Sequence, residues 1–311
     1  MTANLKSHIA IWVSVIMVTG MTFVAELSGE YEIIFPEIAA LTIGAWFAEK
    51  QPWKVSRKKI MILMSLSAFF GYILSAFISI PIFLKVLIAF VFCAVSLIVT
   101  RCTMLPMISA CILPVLIGTK SLCYPVSVVV MTAIIISVQW IFEKYNIRAP
   151  KKHKPLTYDK KVESLRWIFL FVTISIVAAV AISFNILFIM APPIIVTFCE
   201  FSYTDSKARK SPAIIFVIIA FCACLGACAR LLLCHILNLP ITAAVFIVIA
   251  FVLYIMKFLG KPFPPAGAIA LLPFIIDDSL LLIFPFEVMA GSAVLITLSM
   301  LFGKYIEKGR K

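Results

Sequence analysis

Apolar runs about as long as a bilayer is thick recur along the whole chain, and they constrain its fold more than any motif does. A hydrocarbon core of roughly 30 Å is crossed by about 20 helical residues. Runs of that order lie at residues 9–27, 31–48, 60–80, 83–101 and 124–142, and again at 167–184, 186–201, 212–237, 241–258 and 284–303. Two further apolar stretches, 105–118 and 263–276, are shorter and bracketed by proline: Pro106 and Pro114 in the first, Pro264, Pro265 and Pro273 in the second. Proline removes a backbone donor and clashes with the preceding turn. In lipid such a segment survives only where neighbouring helices cover it or it lines a cavity. A pair of short, interrupted segments at matching places in two halves points to a transport site at their interface.

Charged residues make up 13% of the chain and hydrophobic residues 63%. Soluble domains carry about 25% charged residues, so the expected class is an all-α polytopic membrane protein. The net charge of +13 marks cytoplasmic loops rather than a nucleic-acid surface, because no soluble basic face carries aromatics for base stacking. Nine cysteines form no CxxC pair, which argues against a zinc site or a disulfide framework. There is no HExxH, GxSxG or Walker loop, and the three histidines (His8, His153 and His235) are scattered. The expectation is a protein that is not an enzyme and holds no cofactor or metal.

The chain repeats itself. Pro81 and Pro240, Pro106 and Pro265, and Pro114 and Pro273 are separated by one and the same offset. Pro125 and Pro285, like Lys144-Tyr145 and Lys304-Tyr305, miss that offset by a single position. Gly71 and Gly226, and Pro36 and Pro192, fall only a few positions short of it, so small gaps align the whole. The expected division is a first membrane repeat at 1–143, a basic linker at 144–166 and a second repeat at 167–311. Six segments per half make the repeats parallel, related by an axis along the membrane normal. The run at 9–27 has a counterpart in the second half and is therefore expected to stay as an uncleaved first helix. With both termini and the linker on the cytoplasmic side of the cell (inner) membrane, every Lys and Arg except Lys85, Lys120 and Arg230 falls in or beside a cytoplasmic loop. Acidic Glu26, Glu30, Glu32, Asp277 and Asp278 fall outside, as the positive-inside rule expects. The expected partners are a small solute and, at the basic loops, anionic lipid headgroups; a homo-oligomer remains open.

Candidate chemistry lies in the short segments and in two carboxylates. Pro264, Pro265, Ala266 and Gly267 open a half-helix whose remaining amides and dipole attract anions. Small Ala and Gly allow a backbone or solute to approach closely. Pro106 opens the matching element, and Arg101, Lys257 and Lys261 sit at the same level in the chain. These features suit a composite site in which Arg101 supplies charge and amides near Gly267 supply donors, or a tightly packed broken helix with interfacial anchors. Glu37 and Glu287 lie inside apolar runs close after Pro36 and Pro285. An intramembrane carboxylate suits proton coupling, with Arg230 or His235 as partner; snorkelling to water is the alternative.

Met190-Ala-Pro-Pro-Ile-Ile-Val-Thr-Phe and Phe263-Pro-Pro-Ala-Gly-Ala-Ile-Ala-Leu-Leu, together with Gln51-Pro52-Trp53 and Thr100-Arg101, resemble the HPP family of integral membrane proteins. That family carries a His-Pro-Pro-Ala-Gly-Ala run after a Thr-Arg-Thr-like stretch. The chain reads as two such units in tandem, with the family His replaced by Phe263 in one and Met104 in the other. Arg101 has Gly260 as its counterpart. The resemblance implies a multi-pass membrane protein with plant chloroplast relatives linked to nitrite transport. The expected function is a transporter or channel-like permease for a small, nitrite-like anion, against a non-transporting membrane scaffold or sensor.

Overall fold

Among the described residues eight helices are long and apolar enough to cross a membrane, and each hides less than half of its apolar window inside the protein. The faces they turn outward are as apolar as those they bury: Ile16, Phe23, Val99, Val217 and Phe251 are all exposed. A helix that is apolar all round belongs either in a core or in lipid; these outward faces belong in lipid, and the chain is a multi-pass membrane protein. The computed structural model describes residues 3–150 and 160–309, so that linker positions 151–159 lie outside the described residues. Among the described residues there is no strand.

The long helices are α1 (Ala3–Ser28), α3 (Arg57–Ala76), α4 (Ile82–Thr100), α6 (Cys123–Lys144), α7 (Lys160–Ser183), α9 (Pro212–Ala229), α10 (Ile241–Leu259) and α12 (Phe284–Gly309). The short ones are α2 (Glu37–Thr42), α5 (Pro106–Ile117), α8 (Pro192–Ser202) and α11 (Pro264–Leu271). With a helical rise of about 1.5 Å per residue, none of the short helices crosses the hydrocarbon alone. The order long, short, long, long, short, long occurs in 3–144 and recurs in 160–309.

The expected spans at 31–48 and 186–201 need correcting. Each begins with a one-turn 3-10 helix (Tyr31–Ile33, Leu187–Met190) and starts its α-helix only at the proline. Pro36 and the Pro192-Pro193 pair cannot continue a preceding helix, so the break falls there. Among the described residues there are thus four interrupted segments, not two. A second correction concerns the linker, whose last residues, from Lys160, already belong to α7.

Interrupted backbone decides the packing. All eight residues of α11, all six of α2 and positions 106–115 of α5 are buried, and in α8 only Glu200 is not fully so. Irregular backbone at membrane depth must lie inside protein, and here the long helices wrap the short ones. Across the halves, α2 packs on α11, α5 on α8, α1 on α10 and α4 on α7. Glycines set the closest approaches. A Cβ on Gly71 would overlap the Cys111 carbonyl oxygen of α5, and one on Gly226 would overlap the Ala270 carbonyl oxygen of α11. Pro114 leaves the Ala110 carbonyl without its helical donor, and the buried Tyr124 hydroxyl donates to it instead, at 2.9 Å.

The two membrane faces separate by charge. On one, Arg57 pairs with Glu143, Lys59 donates to the Thr100 carbonyl and Lys257 donates to Asn4. On the other, the Glu26 carboxylate of α1 accepts the Ile241 and Thr242 amides, capping α10. There too Arg230 pairs with Asp278 at 2.6 Å and donates to the Pro273 and Ile276 carbonyls.

Candidate functional site: a cavity where four interrupted helices begin

The first turns of α2, α5, α8 and α11 meet at one cavity of about 10 Å3 deep in the bundle, room for about one water molecule. Glu37 and Ala40 come from α2, Pro106 and Ser109 from α5, Pro193 and Val196 from α8, and Pro264, Pro265 and Ala268 from α11; Trp53 completes the lining. The lining falls into pairs across the halves. Glu37 with Pro193, and Ala40 with Val196, repeat the offset between Pro36 and Pro192. Pro106 with Pro265, and Ser109 with Ala268, repeat the offset between Pro114 and Pro273. The proline landmarks of the sequence therefore carry over to the cavity wall.

Glu37 is 2% exposed and is the one titratable side chain lining this cavity. The Ser109 hydroxyl donates to its Oε1, while its Oε2 is buried without a hydrogen-bond partner. No cation pairs with it among the described residues. Neither expected partner is near: Arg230 and His235 both face Asp278 at the acidic end of the bundle. Glu287 has a different setting. It is buried, but its Oε2 accepts the Phe188 amide at 2.7 Å and so holds the turn that leads into α8. At the matching position of the first half, the Ser127 hydroxyl donates to the Ile33 carbonyl at 2.7 Å and holds the turn before α2.

The structure brings Glu37, Pro106, Pro264 and Pro265 together and sets the other candidates apart. Ala266 and Gly267 lie on the buried flank of α11, where a side chain on Gly267 would meet Ala39 of α2 and Ile43 just beyond it. The close approach that glycine permits is thus to a neighbouring helix. The Ala266 amide already donates to the Phe263 carbonyl at 3.2 Å. With prolines at the two positions before it, the start of α11 offers a dipole rather than free donors. Arg101 ends α4 as an exposed residue at φ 49°, in the left-handed region, and does not line the cavity. Lys261 donates to Ser211 at 3.0 Å and Lys257 to Asn4, both outside the lining.

Of the lining residues that were not candidates from the sequence, two carry a polar group, Ser109 and Trp53. Ser109 stands where the second half has Ala268; a hydroxyl in an otherwise apolar half-helix was the available signal. Trp53 sits in the loop after α2, its ring lying where a Cβ on Gly44 would be. That loop is tied to the lead into α5: the Lys54 amide donates to Thr103 Oγ1 at 2.8 Å, and the Thr103 amide returns a bond to the Lys54 carbonyl. The residues that directly follow the Gln-Pro-Trp and Thr-Arg pieces of the first half are therefore bonded to each other. Nearby Arg148, beyond the end of α6, donates to the Gly44 carbonyl. Burial lowers its pKa from the ordinary guanidinium value, opposed by the nearby Glu143. Among the described residues no cluster of side chains could hold a metal ion.

Residues 158–311 match the family model of the HPP transmembrane region. No curated protein and no solved structure matches the chain.

Proposed function

We propose that this chain, which belongs through residues 158–311 to the HPP transmembrane-region family, is a permease that moves a small anion together with a proton. Its first half is, in this reading, a diverged second copy of the family unit. The observation that carries the proposal is Glu37, a carboxylate with one unpartnered buried oxygen, held by Ser109 where helices of both halves begin. An ionisable group at that depth is costly to keep and is a functional candidate by default.

The positive ends of α5, α8 and α11 point at the cavity and favour negative charge there. The Glu37 carboxylate opposes an anion until it holds a proton. Proton and anion then bind together, and each raises the affinity for the other. The family resemblance makes nitrite the first solute to test. The basic loops and both termini face the cytoplasm in this reading, where anionic headgroups meet them.

The cavity admits about one water, so passage of an anion requires the short helices to part. That tightness is what favours the rival, a rigid scaffold that carries nothing. Reconstitution into liposomes separates the two. Nitrite uptake should follow an inward proton gradient and collapse with a protonophore, and Glu37→Gln should insert normally yet lose the pH drive. Wild-type protein that inserts but passes neither nitrite nor another small monoanion would leave the scaffold reading standing.

A further inference from the structure

On the basic side of the bundle lies a second and much larger cavity, about 400 Å3, with Gln51, Ser56, Arg57, Lys58, Gln139 and Glu143 in its lining. One short segment contributes to the walls of both cavities. Trp53 of that segment lines the central cavity, whereas Gln51, Val55 and Ser56 line the larger one. Resting on the permease reading, we infer that the larger cavity is a loading vestibule for the anion and that Trp53 is the gate between the two.

The vestibule has the charge such a role needs. Arg57 and Lys58 open α3, a 20-residue helix whose N-cap Ser56 accepts the Lys59 amide. Arg57 is paired with Glu143, so Lys58 and the positive end of the helix are what draw small anions into the recess. Glu143 holds Arg57 in place and also accepts the Gln139 amide at 3.2 Å, so the wall is preorganised. Trp53 is buried, unlike its neighbours Pro52 and Lys54, and its ring lies against Gly44, where any side chain would displace it. The segment is attached at both ends of the motion that opening demands. Gly44 belongs to the π-helical turn that continues α2, and Thr103 leads into α5. When α2 and α5 part to enlarge the central cavity, the segment moves with them and draws the indole out of the path.

Labelling of a cysteine inside the central cavity tests the gate without requiring flux. Ser109→Cys is exposed to a sulfonate-bearing methanethiosulfonate from the basic side of oriented vesicles, and modification of that peptide is followed by mass, with the parent chain as background for the native cysteines. With Trp53 in place modification should be slow. Trp53→Ala should speed it by about tenfold or more, since even a modest shift of a closed–open equilibrium has that effect. Thr103→Val, which loosens the segment without touching the cavity, should give a smaller rise in the same direction. Replacing Arg57 and Lys58 by Gln in the Trp53→Ala background should slow the anionic reagent but not a neutral one of similar size. Unchanged labelling in inserted, monodisperse Trp53→Ala protein overturns the gate; if that variant fails to insert, Trp53→Phe and Thr103→Val carry the same comparison. Equal effects of Arg57 and Lys58 on both reagents overturn the vestibule. Absence of nitrite flux in the wild type bears on the permease reading alone and leaves the labelling result to stand.

Discussion

The two halves offer corresponding positions to the central cavity and fill them with different chemistry. The first half supplies Glu37, Ala40, Pro106 and Ser109; the second supplies Pro193, Val196, Pro265 and Ala268. The prolines that start the helices are shared, while the carboxylate and the hydroxyl belong to the first half alone. The family match covers only the second half. The half that matches the family model therefore contributes shape, and the half outside the match contributes the polar groups. A proline that begins a buried helix is constrained by backbone geometry, which both halves need. A carboxylate is needed once.

The largest effect should come from moving that carboxylate. Glu37→Gln should abolish pH-driven uptake, and adding Pro193→Glu to that variant should restore part of it if the paired positions are equivalent. Reconstituted flux with and without a pH gradient decides the matter; a double variant as inactive as the single one would show that the halves are not interchangeable at this point. Next in size are the glycine contacts, where the halves should behave alike. Gly71→Val and Gly226→Val each force a side chain into a helix backbone that cannot give way, at a cost of about 3 kcal/mol. Thermal unfolding in detergent should show similar losses for both, and a loss in only one half would break the comparison. The smallest effect concerns the ends of α4 and α10, where Arg101 and Gly260 both take left-handed backbone. Gly260→Ala should lose about 1 kcal/mol, whereas Arg101→Gly should lose nothing or gain a similar amount. Anion uptake that nevertheless falls in Arg101→Gly would assign that exposed cation an electrostatic role that its placement does not require.

Much of this arrangement was legible in the sequence, because lipid leaves few options. Run length located the eight long helices, and proline located α5 and α11. The same test misled at α2 and α8. It counts apolar residues rather than helical ones, and Ile34, Phe35, Phe188 and Met190 are apolar and buried although their backbone is not α-helical. Glu37 stood out as a charge in an apolar run. Its partner Ser109 did not, since a lone hydroxyl in a membrane helix commonly bonds its own backbone, as Ser14 and Ser67 do here. Nor could spacing show that Glu287 and Ser127 anchor turns, because the groups they hold lie 99 and 94 residues away in the chain.

The cross-half packing of the short helices has a consequence for how the molecule is made. When α5 has been synthesised, its cover α8 and the cover of α2, which is α11, do not yet exist. The Glu26 carboxylate that will cap α10 likewise waits with its acceptors unfilled. At the usual 5–20 residues per second, α11 follows α5 out of the ribosome after roughly 10–30 s. For that interval the newborn first half must keep broken backbone away from lipid by some other means, such as the insertion machinery or loose pairing among its own helices. Its most vulnerable moment is therefore one of biogenesis, set by the order of the gene rather than by the stability of the finished bundle.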